Sequence, residues 1–142
     1  PRQLTFDREM AGVPCWSPDG GTIAFEARRE GDVHVFTVPA AGGAPVQLTR
    51  APGQSWPYSF SPDGSKIAFA AFRDGVWNIA WVSRDGRTER LVTTSRRLTS
   101  YSRDPHWSPA GDAIYYEVAE TTGNIWVVDL ARPKASGEGG TE

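Results

Sequence analysis

The chain has 142 residues, a formal net charge of −2, 39% hydrophobic residues and 11% aromatic residues. This length suits one ordinary domain with a packed core, and the balanced charge excludes the basic surface of a typical nucleic-acid-binding protein. No apolar run reaches the 18 residues of a membrane-spanning helix, so we expect neither a nucleic-acid partner nor insertion into a membrane.

The first predicted strand reads RQLT and consists of Arg2, Gln3, Leu4 and Thr5. It matches VQLT at residues 46–49. Leu4 precedes Trp16 by 12 residues, and Leu48 precedes Phe60 by the same 12 residues. The shared spacing predicts that residues 2–5 form the outer strand of a unit whose other strands are not in this chain.

One phrase then occurs three times, as CWSPDGGTIAF, SFSPDGSKIAF and HWSPAGDAIYY, at residues 15–25, 59–69 and 106–116. Each copy has an aromatic residue followed by a tight turn. Proline presets φ in such a turn, aspartate binds local backbone, and glycine adopts the left-handed conformation. Ala110 replaces the aspartate in the third copy, which predicts a slightly weaker turn there.

Strands follow each turn in a fixed order. Second strands are predicted at residues 22–27, 66–71 and 113–118, third strands at 34–38, 78–82 and 124–128, and last strands at 46–49 and 89–92. RRLT at 96–99 is an alternative last strand, but 89–92 keeps the spacing from Leu48 to Leu91 at 43 residues. The third strands are apolar on both faces, which predicts cover on both sides.

Four short antiparallel strands in roughly 45 residues is the period of a propeller blade. A β-sandwich is the alternative, although it does not require the same turn at the same place three times. The repeated segments WSPDG, IAF, NIWVVD and QLT resemble the WD40-like repeat of TolB-like β-propellers, from Gln3 to about Leu130. This resemblance implies a six-bladed ring. Relatives include the periplasmic TolB protein and propeller domains beside peptidase or kinase modules, so the compartment, extracytoplasmic or cytoplasmic, stays open.

The predicted fold is therefore an all-β half-propeller over residues 1–130, with three four-stranded antiparallel blades. The blade-completing strand is 2–5, blade one is 14–50, blade two is 58–92, and blade three is 105–130 without an outer strand. Residues 131–142 are polar and rich in glycine, and we expect a flexible tail there.

Three blades cannot close a ring, since propellers typically have four to eight. We predict a homodimer in which two halves join head to tail and residues 2–5 of each chain complete the third blade of its partner. The alternative is that the chain is half of a longer protein. Its start at Pro1 without an initiator methionine is consistent with an excised segment.

The sequence has no recognisable catalytic, phosphate-binding or zinc-binding motif, and it has only two histidines, His34 and His106. We predict no enzyme activity, no metal site and no cofactor. Asp19 and Asp63 are interpreted as turn residues rather than calcium ligands. Cys15, between a proline and a tryptophan, is interpreted as a buried structural thiol.

The candidates for function are polar and aromatic residues of the linkers between blades, because exposed aromatic and arginine side chains favour protein contacts. The predicted binding residues are Arg8, Trp56, Tyr58, Tyr101, Arg103, Asp104 and His106. The sequence thus predicts a scaffold that self-assembles and binds a protein or peptide. Two alternatives stay open: a recognition or gating domain of a larger enzyme such as a propeller-peptidase, and a small-molecule or ion binder in the central channel.

Overall fold

The computed structural model describes residues 1–6, 11–120 and 124–129, and every regular element in them is a strand. The strands are β1 (Ala11–Trp16), β2 (Thr22–Arg29), β3 (Asp32–Pro39), β4 (Val46–Gln47), β5 (Gln54–Phe60), β6 (Lys66–Arg73), β7 (Val76–Ser83), β8 (Glu89–Leu91), β9 (Tyr101–Trp107), β10 (Ala113–Ala119) and β11 (Asn124–Asp129). The all-β prediction is confirmed. Within these residues, no helix is long and apolar enough to cross a membrane.

The strands form three antiparallel blades in chain order. Blade one is β1 to β4, blade two is β5 to β8, and blade three contains β9, β10 and β11. A single parallel bridge between Val33 and Gln54 joins the first two blades into one continuous sheet. Blade three is separate and has no fourth strand among the described residues. The predicted tail lies outside the described residues.

The first strand of each blade begins three or four residues earlier than the predicted blade boundary, at Ala11, Gln54 and Tyr101. Each of these strands has a proline near its middle, at 14, 57 and 105, at or next to the predicted boundary. The structure accommodates them at β-bulges, since the register shifts between Gly12 and Cys15, between Pro57 and Ser59, and opposite Tyr115 and Glu117. A bulge tolerates a residue that cannot donate a hydrogen bond to the neighbouring strand.

Most of the predicted binding residues therefore lie in strands rather than in linkers between blades. Trp56 and Tyr58 belong to β5, and the other four described residues of that set belong to β9, namely Tyr101, Arg103, Asp104 and His106. Arg8 lies outside the described residues.

Each repeated turn is closed by a serine hydroxyl. Ser17 Oγ donates to Asp19 Oδ1 at 2.5 Å and accepts from the backbone N–H of Thr22 at 2.9 Å, and Ser61 repeats both contacts. In the third turn, Ser108 Oγ donates to Asp112 Oδ1 at 2.7 Å. Asp112 therefore supplies the carboxylate that Ala110 lacks, two residues further along. The third turn was predicted to be weaker because Ala110 replaces the aspartate. The structure shows that this turn nevertheless has a hydrogen bond from serine to a carboxylate.

The apolar core lies between blades because alternate side chains of a strand point to opposite faces. Ile67 and Phe69 pack with Ala24 and Val35 of blade one, whereas Ala68 packs with residues of blade three. Blade two is therefore covered on both faces, as its apolar third strand predicted.

A polar contact reinforces the junction between blades one and two. The Arg84 guanidinium, in the β7–β8 hairpin, donates to Asp19 Oδ2 at 3.0 Å and to Thr22 Oγ1 at 2.7 Å. It thus connects blade two to the repeated turn of blade one.

The last strand of blade two is at residues 89–91, and residues 96–99 form no strand, as preferred from the sequence. The outer segments of blades one and two, however, correspond at a spacing one residue longer than predicted. The backbone N–H of Leu48 donates to Val35 O and that of Val92 donates to Ile79 O, both at 2.8 Å. Val92, 44 residues after Leu48, is therefore its equivalent rather than Leu91.

We expect Asp112→Ala to lower the free energy of unfolding by about 1 kcal/mol, because the Ser108 hydroxyl loses its acceptor. Adding Ala110→Asp to that variant restores the carboxylate at the position used by Asp19 and Asp63, and most of the loss is recovered. Urea denaturation of the three proteins measures both effects. An unchanged midpoint for Asp112→Ala, or no recovery in the double variant, contradicts this account of the turn.

Candidate functional site

The first strands of the blades, β1, β5 and β9, contact one another in turn and form one wall. We call it the channel wall, because the first strands of a closed propeller surround its central channel. Ser59 of β5 connects two of these strands directly: its hydroxyl donates to Pro105 O at 3.0 Å and accepts from the backbone N–H of Trp107 at 3.1 Å. Because each first strand carries a bulge, side chains near the bulge are turned out of the normal alternation. Five of the predicted binding residues lie on this wall: Trp56, Tyr58, Tyr101, Arg103 and Asp104.

An aromatic cluster occupies the end of the wall nearest the β6–β7 hairpin. The ring centroids of Trp56 and Trp77 are 4.6 Å apart, and those of Trp77 and Tyr101 are 4.7 Å apart. Phe72 adds a fourth ring, 4.9 Å from Trp77. Sequence reasoning did not select Trp77 or Phe72. The signal was their position on either side of the hairpin FRDGVW, where opposite strand residues become neighbours.

Arg103 is held in one orientation by Glu117. Its Nε donates to Glu117 Oε2 at 2.7 Å and its Nη2 donates to Oε1 at 2.9 Å, which is a bidentate pair. This pairing lowers the pKa of Glu117 and raises that of Arg103. The guanidinium also lies 5.5 Å from the centre of the Tyr101 ring. Asp104 follows directly in the chain with φ of 51°, a left-handed conformation that few residues other than glycine adopt.

Tyr58 is the extra residue of the bulge in β5. Burial, together with the negative charges of Asp104 and Glu26, raises the pKa of its hydroxyl to about 12. The hydroxyl therefore stays protonated at neutral pH and is available as a hydrogen-bond donor. Tyr58 is therefore close enough to Asp104 of blade three and to Glu26 of blade one for both charges to affect its pKa.

Glu26 is only 7% exposed and faces blade two. Glu26 Oε2 has no hydrogen-bond partner in the described part of the chain, and burial raises the pKa of the carboxyl group. A Cβ atom on Gly12, opposite Glu26 in the register, would lie 3.0 Å from Glu26 Oε1. Sequence reasoning did not identify Glu26, because its burial depends on the packing of blade one against blade two.

His106, His34 and Cys15 are not part of the aromatic cluster around Trp77. His106 is exposed on β9 and lies opposite Tyr115 in the register. His34 is buried, and burial lowers its pKa. Burial raises the pKa of Cys15 to about 12, so its thiol stays protonated, in agreement with a structural role. Across the part of the chain that the structure describes, no three His, Cys, Asp or Glu side chains meet as a possible metal site.

Residues 2–5, the predicted assembly strand, are in no strand in the single chain. The Arg2 guanidinium donates to Ala40 O at 2.6 Å and to Ala41 O at 2.9 Å, in the β3–β4 hairpin, and the Gln3 amide donates to Thr5 O at 2.7 Å. Leu4 and Thr5 line a groove of about 240 Å³ on the outer face of blade one. The rest of the groove is formed by Ala11, Gly12, Pro14, Ile23, Phe25 and Val38.

Both outer faces of the three-blade unit expose large apolar side chains. Trp16 of blade one is 60% exposed, and Tyr115 and Val127 of blade three are 43% and 51% exposed. An apolar patch of this kind marks a surface that another protein segment can cover.

Comparison with known proteins assigns the fold. Residues 2–137 match the family model of the TolB beta propeller domain. A comparison with curated proteins finds no match.

Two of the similar solved structures are TolB proteins. Putative TolB from Agrobacterium tumefaciens is similar with a TM-score of 0.71 and 29% identity, over 81% of this chain and 41% of that one. TolB from Acinetobacter baumannii is similar with a TM-score of 0.69 and 20% identity, over 84% of this chain and 30% of that one.

A structure from a study of two prolyl endopeptidases is similar with a TM-score of 0.68 and 12% identity, over 87% of this chain and 21% of that one. The chain spans less than half the length of each of these three proteins. The likenesses at 20% and 12% identity show the fold alone.

We expect Glu26→Gln to stabilise the protein at neutral pH but not at acidic pH. The pKa of Glu26 in the folded protein is raised above its ordinary value of 4.5. The folded state therefore binds more protons than the unfolded state just above pH 4.5, and stability falls as pH rises through that window. Glutamine has no charge to bury, so the variant gains on the order of 1 kcal/mol at pH 7. Urea denaturation from pH 4 to pH 8 measures this, and parallel curves for the two proteins contradict it.

Proposed function

The chain belongs to the TolB β-propeller domain family, and on this premise we propose that it is a non-catalytic module that binds a protein or peptide at its channel wall. The observation that carries the proposal is the cluster of Trp56, Tyr58, Tyr101 and Arg103 on strands of two adjacent blades. Tryptophan, tyrosine and arginine are the residues that most often dominate binding energy at protein interfaces.

The rigidity of the wall supports binding. Its side chains project from strands rather than loops, and the bidentate pair with Glu117 fixes the Arg103 guanidinium before any ligand arrives. A surface ordered in advance loses less conformational entropy on binding. The protonated states of the Cys15 thiol and the Tyr58 hydroxyl also suit recognition better than nucleophilic chemistry.

We further propose that the chain self-assembles into a six-bladed ring of two copies. Leu48, in the segment after β4, packs on blade two with Ile67, Phe69 and Val82. Leu4 lies beside Ile23, Phe25 and Val38 of blade one, and each of these four residues precedes its counterpart by 44 positions. Residues 2–5 thus hold, against blade one, the place that the outer strand of a preceding blade holds.

Blade three supplies the complementary face in this proposal. Tyr115 follows Ile114 as Ala24 follows Ile23 and as Ala68 follows Ile67, and both alanines are completely buried against the next blade. Tyr115 occupies that inter-blade position but is 43% exposed. The groove of about 240 Å³ beside Leu4 offers space for this ring from a second copy. Two such junctions close a ring of six blades.

The oligomeric state tests the assembly. Light scattering after size exclusion is expected to give a mass near twice 15.5 kDa. Leu4→Asp and Tyr115→Lys place a charge in the junction and are expected to give single chains. Leu98→Asp is the matched control, because Leu98 is 74% exposed on the linker between blades two and three, and it leaves the dimer intact. A folded single chain for the wild-type protein overturns the ring of two copies.

Peptide selection tests the binding site. Peptides selected from a random displayed library on the wild-type protein are expected to lose roughly tenfold or more in affinity for Tyr58→Ala and for Tyr101→Ala. Arg90→Ala, an exposed change on the outer strand β8, is the control and leaves affinity unchanged. If selected peptides bind the two tyrosine variants as tightly as the wild-type protein, the channel wall is not the binding site.

A further inference from the structure

Two glutamates occupy the same position in the second strands of different blades. Glu117 of blade three lies opposite Arg103 in the register, and Glu26 of blade one lies opposite Gly12. Gly12 therefore stands where blade three has its arginine. Blade three contains both members of a bidentate ion pair, whereas blade one contains the carboxylate alone.

The geometry at Gly12 confirms that the two sites correspond. A Cβ built on Gly12 points at the Glu26 carboxyl group and would lie 3.0 Å from Oε1, so a side chain there would run toward the carboxylate. Because glycine has no Cβ, the Glu26 carboxyl group lies directly against the Gly12 backbone. The next residue, Val13, has φ of 44°, a strained conformation for a β-branched residue, and its side chain and that of Pro14 are exposed. The bulge thus turns these side chains away from the Glu26 carboxyl group.

A positively charged group would stabilise the buried carboxylate of Glu26. Among the residues that the structure describes, the ionisable groups near Glu26 are the Tyr58 hydroxyl from β5 and, two residues along the same face, the Cys15 thiol opposite Ala24. Neither is positively charged. Among the described residues, Glu26 Oε2 has no partner, and an unpaired buried carboxyl group is costly.

We propose that Glu26 is a binding site for the guanidinium group of an arginine side chain, which a bound peptide or protein inserts beside Gly12. The inference rests on the proposed function and deepens it, since it names the residue that the ligand must carry. The ligand arginine takes the place that Arg103 takes in blade three, where Nε and Nη2 reach both oxygens of Glu117. A planar guanidinium can make two parallel hydrogen bonds to a carboxylate, which an ammonium group cannot.

The test uses the N-acetyl amide of arginine as the probe and the N-acetyl amide of citrulline, its neutral isostere, as the matched control. Both are titrated into the 142-residue chain while the amide signals of Gly12 and Glu26 and the Glu26 carboxyl carbon are followed by NMR. We expect saturable shifts with arginine amide at millimolar concentration, as is typical for a ligand of fragment size. The apparent pKa of the Glu26 carboxyl group is expected to fall in its presence and to stay unchanged with citrulline amide.

Two variants separate charge recognition from a general effect on the fold. Glu26→Gln keeps the shape and is expected to weaken arginine amide by roughly tenfold or more. Gly12→Arg supplies the guanidinium from the chain itself and is expected to exclude the probe while restoring the pattern of Arg103 and Glu117. Equal shifts with the citrulline control, or undiminished binding to Glu26→Gln, overturn the inference.

The arginine site can be confirmed or overturned independently of the proposed peptide-binding site on the channel wall. Selected peptides that lose affinity for Tyr58→Ala but bind Glu26→Gln unchanged support the proposed function and overturn the arginine site. Arginine amide that binds at Glu26 when no selected peptide depends on Tyr58 supports the arginine site and contradicts the wider binding surface.

Discussion

A blade of this protein is apolar on both faces, and the fold depends on how each face is covered. Blade two has Ile67 and Phe69 on one side and Ala68 and Ile79 on the other, and its neighbours in the chain bury both sets. Within the described residues, blades one and three are each packed against another blade on one side only. Residues 2–5 lie on the outer face of blade one, and the outer face of blade three exposes Tyr115 and Val127. The demand for burial on both faces therefore links the repeat in the sequence to the assembly that we propose.

The local features of the fold were predictable because their causes are local. The turn Ser-Pro-Asp-Gly contains its own hydrogen-bond donors, acceptors and φ preferences, so the sequence alone located it and the strands on either side. Two errors arose where the cause lies outside the motif itself. The blade boundaries predicted at 14 and 105 fall inside β1 and β9. Each strand continues past its proline at a β-bulge, and a bulge is defined by the register with the neighbouring strand. Asp112 was missed as an acceptor because it reaches Ser108 from outside the turn.

The candidate site was predictable in residue type but not in arrangement. Aromatic and arginine residues indicated where binding energy concentrates, and four of them, which the structure shows to be half-buried, lie on one wall. Their partners were beyond sequence reasoning, since Arg103 and Glu117 are 14 residues apart and meet only through the register of β9 and β10. The same register makes Gly12 and Glu26 comparable to that pair. No pattern in either segment indicates that one site holds its own cation and the other does not.

The parallel bridge between Val33 and Gln54 has a consequence for how the three blades open. It joins blades one and two into one sheet, and Arg84 adds a side-chain connection at the opposite end of the same junction. Blade three belongs to a separate sheet and contacts blade two through side chains and the Ser59 bonds. In an array whose units contact only their neighbours, local opening begins at the unit with the fewest connections. Local unfolding is therefore expected to begin in blade three. Amide hydrogen exchange should accordingly be fastest in blade three and slowest in blade two.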